Sequence, residues 1–336
     1  MDFRKIVHIP PVKNKICHQE QILLMGSCFA ENIGKRLVEG RFSTLANPFG
    51  ILYNPSSISA ALRQIISPER EIKKEDLFCG ADGMWHSFDF HSNYSATTPE
   101  EALLRMNGSI EEARESLRKA KVLIVTFGTS WVFKLADGDS KGAVVGNCHK
   151  LPANKFIRER LRVEDIVSDW RDLLIEIEEF RSGVPLRVIF TVSPIRHWKD
   201  GAFGNQCSKA TLLLAIDDLI EWSSTMEYFP AYEIFMDELR DYRFYDSDMI
   251  HPSDVGVEYV WDRFSETYFS SESQKELQEW GKIRRMLDHR PSNGMDERHV
   301  AFLKSCLLKM EEFDTRYPHF DLELEIEDLR KICNTY

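Results

Sequence analysis

Two short stretches of this 336-residue chain carry side chains capable of nucleophilic chemistry. The first is Gly26-Ser27-Cys28-Phe29-Ala30, directly after the apolar run Ile22-Leu23-Leu24-Met25. A strand that ends in glycine and runs straight into a helical pattern puts Ser27 and Cys28 on a tight strand-to-helix turn. Amides in the first turn of a helix have no intrahelical partner and the helix dipole there favours negative charge, so a thiolate or an oxyanion at this position is stabilised. The same residues also suit a structural job, with Ser27 capping the helix and Cys28 filling a small apolar gap.

The second stretch is Tyr245-Asp246-Ser247-Asp248-Met249-Ile250-His251-Pro252-Ser253. A carboxylate three residues before an imidazole on one loop can accept the Nδ1 proton and leave Nε2 facing a nucleophile. Pro252 biases His251 away from helix, and Ser253-Asp254 can cap a helix over residues 255–264. An Asp-x-x-His pair is common among exposed side chains, so its weight comes from position. The candidate nucleophile follows the first strand, the acid and histidine follow the last, and the chain order is nucleophile, Asp, His.

The elements that must hold these residues alternate. Short β-branched runs read as buried parallel strands at Ile22–Met25, Phe42–Leu45, Val122–Phe127, Leu186–Val192 and Met226–Phe229. Helical spacing appears from Phe29 to Leu37, over Ile58–Ile66, Glu100–Ala120, Val163–Phe180 and Lys209–Ser223. Strand alternating with helix predicts an α/β domain over residues 1–264 with a parallel sheet covered on both faces, and ligands bind such sheets at the carboxyl ends of the strands. Residues 72–99, rich in aromatic side chains, histidine and glycine, read as a long insertion loop. Residues 265–336 read as a charged helical C-terminal extension broken at Pro291-Ser292-Asn293-Gly294. Its apolar positions Val300, Leu303, Leu307 and Met310 could cap a core or join two copies in a homodimer.

Composition narrows the partners. With 43% hydrophobic and 29% charged residues and a formal charge of -11, the chain can bury a large core but lacks the clustered cations that nucleic acid or anionic lipid requires. No apolar run approaches the roughly 20 residues that span a bilayer, and the N-terminus is charged and proline-broken rather than signal-like. Seven cysteines without CxxC spacing fit a reducing compartment, and the expected location is the cytoplasm. His8, His18, His149, His289 and His299 have no partners at ligand spacing in sequence, so neither a metal site nor a cofactor is expected.

Four blocks together resemble the GSCFA family and, more broadly, the SGNH (GDSL-like) hydrolases: Leu24-Met25-Gly26-Ser27-Cys28-Phe29-Ala30-Glu31, Asn47-Pro48-Phe49-Gly50, Thr126-Phe127-Gly128-Thr129-Ser130, and Asp248 with His251. The resemblance runs over roughly residues 20–260. It implies a three-layer α/β/α flavodoxin-like fold with about five parallel strands. Laid without gaps on the superfamily's Gly-Asp-Ser block, Ser27 falls at the usual Asp and Cys28 at the usual nucleophilic Ser. The register nominates Cys28, while a slip of one residue would restore Ser27. The resemblance further implies an oxyanion hole with an amide from Gly50 and a side-chain donor at Ser130, where the superfamily has Asn, with Thr129 as its substitute. Gly50 equally suits a plain turn after Asn47-Pro48.

Other candidates share the same predicted edge. Arg196 and His197, with Asn205 and Lys209 just beyond, could orient a polar or anionic substrate group or simply form a solvated loop. Trp131, Trp85, His86 and His91 could build a wall against water or a platform for a sugar face, or pack the insertion loop onto the sheet. The expected activity is acyl hydrolysis of a small-molecule or carbohydrate ester, acetyl groups on sugars included. The alternatives are an acyltransferase on the same fold, or a binding module that has lost catalysis.

Overall fold

The computed structural model describes residues 4–67, 69–138, 140–288 and 297–335. Strands run at Ile22–Gly26 (β1), Thr44–Ala46 (β2), Leu77–Cys79 (β3), Trp85–Ser87 (β4), Val122–Phe127 (β5), Trp131–Leu135 (β6), Val144–Val145 (β7), Phe156–Arg160 (β8), Arg187–Val192 (β9) and Met226–Tyr228 (β10). Helices are Cys28–Glu39 (α1), Pro55–Ile66 (α2), Pro99–Lys119 (α3), Val163–Phe180 (α4), Gly201–Trp222 (α5), Ala231–Glu233 (α6), Asp254–Tyr268 (α7), Ser271–Leu287 (α8), Glu297–Arg316 (α9) and Glu323–Thr335 (α10). By contacts the chain forms two units. One comprises residues 1–10, 21–35 and 44–262, and the other 11–20, 36–43 and 263–336.

The first unit is built on a five-stranded parallel sheet ordered β10-β9-β5-β1-β2. Counting only these parallel strands, the order is 2-1-3-4-5, that of a doubly wound sheet whose winding reverses between its first and third strands. Here those are β1 and β5, in register from Ile22 opposite Val122 to Gly26 opposite Thr126. Both strands are buried along their whole length, as the unbroken apolar runs require when a sheet is covered on both faces. Leu23, Met25, Leu123, Val125, Phe127, Val188 and Phe190 alternate along their strands and share one core with Leu62 of α2, Met106 of α3, Trp170 of α4 and Leu212 of α5. The opposite-pointing Ile22, Leu24, Ile124 and Ile189 are buried as well.

Several boundaries differ from the sequence reading. The second strand starts at Thr44 rather than Phe42, and α5 starts at Gly201 rather than Lys209, so Asn205 lies on the helix rather than in the loop before it. The insertion over 72–99 is structured: β3 and β4 pair as an antiparallel hairpin, and Trp85 also bridges Ala96. An antiparallel sheet ordered β7-β6-β8 had no counterpart in the expectation. Its strands are half-exposed and β8 is mostly charged, so no continuous apolar run announces it.

In the second unit, Trp280, Cys306, Met310, Phe313, Phe320 and Leu329 form a core of their own, with Leu303 and Leu307 packed against it. The apolar face of α9 is thereby covered within the chain. This unit also takes in residues 11–20 and 36–43, which the sequence reading assigned to the first domain. The expected Pro291–Gly294 break and His289 lie outside the described residues. Among the described residues no helix is long and apolar enough to cross a membrane.

Trp170 is fully buried, packs edge-on against Phe127 and Phe190 at 5.1 and 5.4 Å, and donates its indole N–H to the Pro55 carbonyl at 3.3 Å. Trp170→Ala is expected to cost about 3–5 kcal/mol in urea unfolding. A loss under about 1 kcal/mol would show that α4 does not pack on the sheet as described.

Candidate functional site

β1 ends at Gly26, where φ is +145° and a β-carbon would lie 2.3 Å from the Thr126 carbonyl oxygen, so only glycine fits the turn. The Gly26 amide donates to Asn47 Oδ1 (2.8 Å), the Ser27 amide to the Thr126 carbonyl (3.3 Å), and the Leu52 amide to the Gly26 carbonyl (3.0 Å). Ser27 is buried, its Oγ accepts from the Phe29 amide (3.3 Å), and its carbonyl accepts from the Glu31 amide (3.2 Å). Those are the bonds of a helix cap. Cys28 opens α1 and is half-buried, with Sγ 3.6 Å from the Tyr53 hydroxyl. Burial pushes its thiol above the ordinary value, against the opposing pull of hydrogen bonds from the Tyr53 hydroxyl and its own amide.

The Asp248 and His251 loop is closed by its own backbone. The Asp246 amide donates to the His251 carbonyl (2.7 Å) and the Ser253 amide to the Phe244 carbonyl (2.8 Å), while Met249 takes a left-handed φ of +58°. Asp248 Oδ1 accepts from the amides of Ile250 (2.8 Å) and His251 (2.9 Å), and its Oδ2 lies 2.5 Å from His251 Nδ1. Hydrogen bonds from the His251 amide and ring hold the Asp248 carboxyl down at about 2, so it stays ionised at any ordinary pH. A carboxylate fixed on Nδ1 assigns the proton of the neutral ring to that nitrogen and leaves the lone pair on Nε2.

Ser27, Cys28 and His251 line one cavity of about 550 Å³, together with Thr129, Tyr53 and Trp131. Arg158, Arg196, Lys199 and His197 add cationic and imidazole side chains to its wall. Arg158 pairs with Asp200 and lies 4.6 Å over the Trp131 ring. His197 meets Tyr53 edge-on at 5.7 Å, and burial pushes its pKa down to about 4, so it is neutral near pH 7.

A family model described as the GSCFA family matches residues 21–264, and one described as the C-terminal domain of GSCFA domain proteins matches residues 280–335. The chain belongs to the GSCFA family. No curated protein matches the sequence at a significant level.

Not every residue nominated from the sequence reaches the cavity of this GSCFA chain. Gly50 is outside the cavity lining, its amide donates to the Asn47 carbonyl at 2.7 Å, and its left-handed φ of +75° lets it pass His91. It is the turn glycine. His91 is outside the lining too, and caps the short turn at Ser92–Tyr94. Asn205 is buried on α5 and accepts the His197 amide at 3.0 Å, so it positions that loop without touching the cavity.

Ser130 is fully buried, and both its amide (2.8 Å) and its hydroxyl (3.1 Å) donate to Ser208 Oγ. With both lone pairs occupied, the Ser208 hydroxyl has Thr129 Oγ1, 3.1 Å away, as the partner for its proton. Thr129 Oγ1 also accepts the Trp131 amide at 3.2 Å, so its own hydroxyl proton remains to be donated, and Thr129 lines the cavity. The hydroxyl proton left uncommitted at the cavity is therefore that of Thr129 rather than that of Ser130.

Tyr53, Asn147, Arg158 and Lys199 line the cavity without having been nominated from sequence. Tyr53 had one legible signal, its place just before the Asn54-Pro55 start of α2. Among the described residues the only histidine, cysteine and carboxylate groups converging at metal-ligand distances lie in the second unit.

Lys209 is buried on α5, and its ammonium donates to the carbonyls of Gly128 and Ser193, each at 2.7 Å. It ties together the loops that leave β5 and β9. Burial first, and then the Arg196 charge, push its pKa down to about 7. Between there and the unfolded value near ~10.4 the unfolded chain binds more protons, so Lys209 makes stability rise with pH across that window. In chemical denaturation at pH 7 and pH 9.5, the wild type is expected to gain a few kcal/mol relative to Lys209→Met. Parallel stability curves for the two proteins would show that Lys209 does not titrate there.

Proposed function

We propose that this cavity is the active centre of an SGNH-like acyl hydrolase in which Cys28 is the nucleophile, His251 the general base, and Asp248 the group that orients the imidazole. The observation that carries the reading is that Cys28 and His251 line the same cavity while Asp248 holds the Nδ1 edge of His251. His251 Nε2 takes the thiol proton as Sγ attacks the ester carbonyl. The tetrahedral oxyanion receives hydrogen bonds from the Cys28 amide at the start of α1 and from the Thr129 hydroxyl. Collapse expels the alcohol, which leaves with the proton from His251, and water then resolves the thioester by the same base.

Ser27 is assigned to the cap because its hydroxyl already accepts the Phe29 amide. The substrate we infer is a small acyl ester of a carbohydrate. Trp131 and Tyr53 offer aromatic faces, Arg196 and Lys199 offer donors, and no carboxylate side chain lines the cavity. All seven cysteines are unpaired, which fits a reducing, cytoplasmic setting.

The test combines labelling with turnover. Iodoacetamide modification of Cys28, followed at that residue by peptide mass spectrometry, is expected to be at least about tenfold slower in His251→Ala, because His251 takes the thiol proton as sulfur attacks. Hydrolysis of p-nitrophenyl acetate is expected to fall by about 10² or more in Cys28→Ala and His251→Ala, and to survive in Ser27→Ala at a stability cost of about 1 kcal/mol. Fluorophosphonate labelling that disappears only in Ser27→Ala would move the nucleophile to Ser27. Unchanged turnover in Cys28→Ala and Ser27→Ala alike would remove the acyl-enzyme altogether. Adding an acceptor sugar separates transfer from hydrolysis by the product formed.

A further inference from the structure

The second unit buries three electron-pair donors against one another. His18 sits on the turn before β1, Glu276 on α8, and His319 on the turn between α9 and α10. His18 Nδ1, Glu276 Oε2 and His319 Nε2 all lie within 4.8 Å of one another. His18 and Glu276 are 3% and 4% exposed.

The tautomer of His18 is set by its far edge. Nε2 lies 3.0 Å from the Gly40 carbonyl oxygen, which can only accept, so Nε2 carries the proton. Nδ1 then presents a lone pair toward Glu276 Oε2 at 2.7 Å, and that contact lacks hydrogen-bond geometry, which leaves Nδ1 a buried atom with no hydrogen-bond partner. His319 Nε2 approaches the same carboxylate oxygen at 3.4 Å. Two imidazole nitrogens and a carboxylate oxygen turned toward one point, with the outer nitrogen of one imidazole fixed on a backbone carbonyl, is how a metal site holds its ligands.

We propose that His18, Glu276 and His319 bind a divalent ion of the Zn²⁺ class that staples the second unit. The chemistry selects the class, since nitrogen-rich sets suit zinc and its neighbours whereas calcium and magnesium take oxygen ligands in larger number. Tetrahedral zinc at about 2.0–2.1 Å from each ligand sets donor atoms roughly 3.3 Å apart. The His319 to Glu276 spacing of 3.4 Å meets that already, and the His18 to Glu276 spacing of 2.7 Å opens by about 0.6 Å. Water takes the fourth position on the side of His319, whose side chain is 20% exposed. Phe42, stacked on His18 at 3.9 Å, and Phe320, tilted at 4.8 Å, supply an apolar surround. The ion joins three segments far apart in sequence, so its role is to stabilise the unit.

The experiment uses the full chain, stripped with dipicolinate, dialysed, and reloaded with zinc chloride. Elemental analysis is expected to return one zinc per chain, with the melting temperature raised by about 5 °C over the stripped protein. His319→Ala, the least buried change, is expected to keep the circular dichroism of the fold while losing the zinc-dependent shift and binding zinc at least about tenfold more weakly. Glu276→Gln is expected to do the same. Cobalt in place of zinc is expected to give d–d bands without a thiolate charge-transfer band, because no cysteine is in the set. A stripped protein that neither binds zinc stoichiometrically nor shifts on reloading would overturn the proposal in favour of a shared proton. So would His319→Ala binding zinc as the wild type does, or a thiolate band in the cobalt protein.

Discussion

Two neighbouring backbones meet at the end of β1 more closely than any side chain would allow. At Gly26 the space a β-carbon would need is filled by the Thr126 carbonyl, so the chain can cross the sheet edge there and start α1 at once. Because the turn is so tight, its polar groups must be satisfied by the loop beside it. Asn47 accepts the Gly26 amide, and Leu52 donates to the Gly26 carbonyl. The same loop reaches Tyr53, whose carbonyl accepts the amides of Gly128 (2.8 Å) and Thr129 (2.9 Å) and whose hydroxyl meets Cys28. One steric condition thus fixes the helix start, the aromatic wall and the hydroxyl donor relative to one another, at the point where the winding of the sheet reverses.

The second constraint is electrostatic and works in opposite senses at two ends of the site. Asp248 is exposed, yet its charge is held by backbone amides and the imidazole, so it stays ionised without burial. Lys209 is buried with two carbonyl oxygens and the Tyr232 ring face as neighbours and no carboxylate bonded to it, so burial pulls its pKa down to about 7. A neutral amine still has two N–H groups, enough for both carbonyls. The loops after β5 and β9 therefore stay tied whichever form is present.

The strands, most helices and the Asp248 and His251 pair were legible because each rests on local pattern. Unbroken apolar runs mark strands buried on both faces, and Asp248 three residues before His251 gains weight from Pro252 behind it and from its place after the last strand. What escaped depends on partners distant in sequence. The β6–β8 sheet is half-exposed and charged, and Thr129 outranks Ser130 only once Ser208 is seen to absorb the Ser130 donors. Gly50 looked like an oxyanion donor by position, but hydrogen bonding inside its own turn engages the amide. The acid and imidazoles around His18 escaped for the same reason, since ligand spacing in sequence cannot register groups brought together by three separate segments.

The resting state of Cys28 bears on how such a site would work. A first-turn amide and the helix dipole favour a thiolate, yet desolvation at this half-buried position outweighs them and leaves the thiol above its ordinary pKa. In the proposed mechanism the ground state then pairs a neutral thiol with an imidazole held ready by an ionised Asp248. Charge appears only as sulfur attacks, and it moves from sulfur to the carbonyl oxygen, where the Cys28 amide and the Thr129 hydroxyl are the donors. A site that disfavours the thiolate but solvates the oxyanion places its stabilisation on the transition state rather than the resting enzyme, which is where binding energy accelerates a reaction.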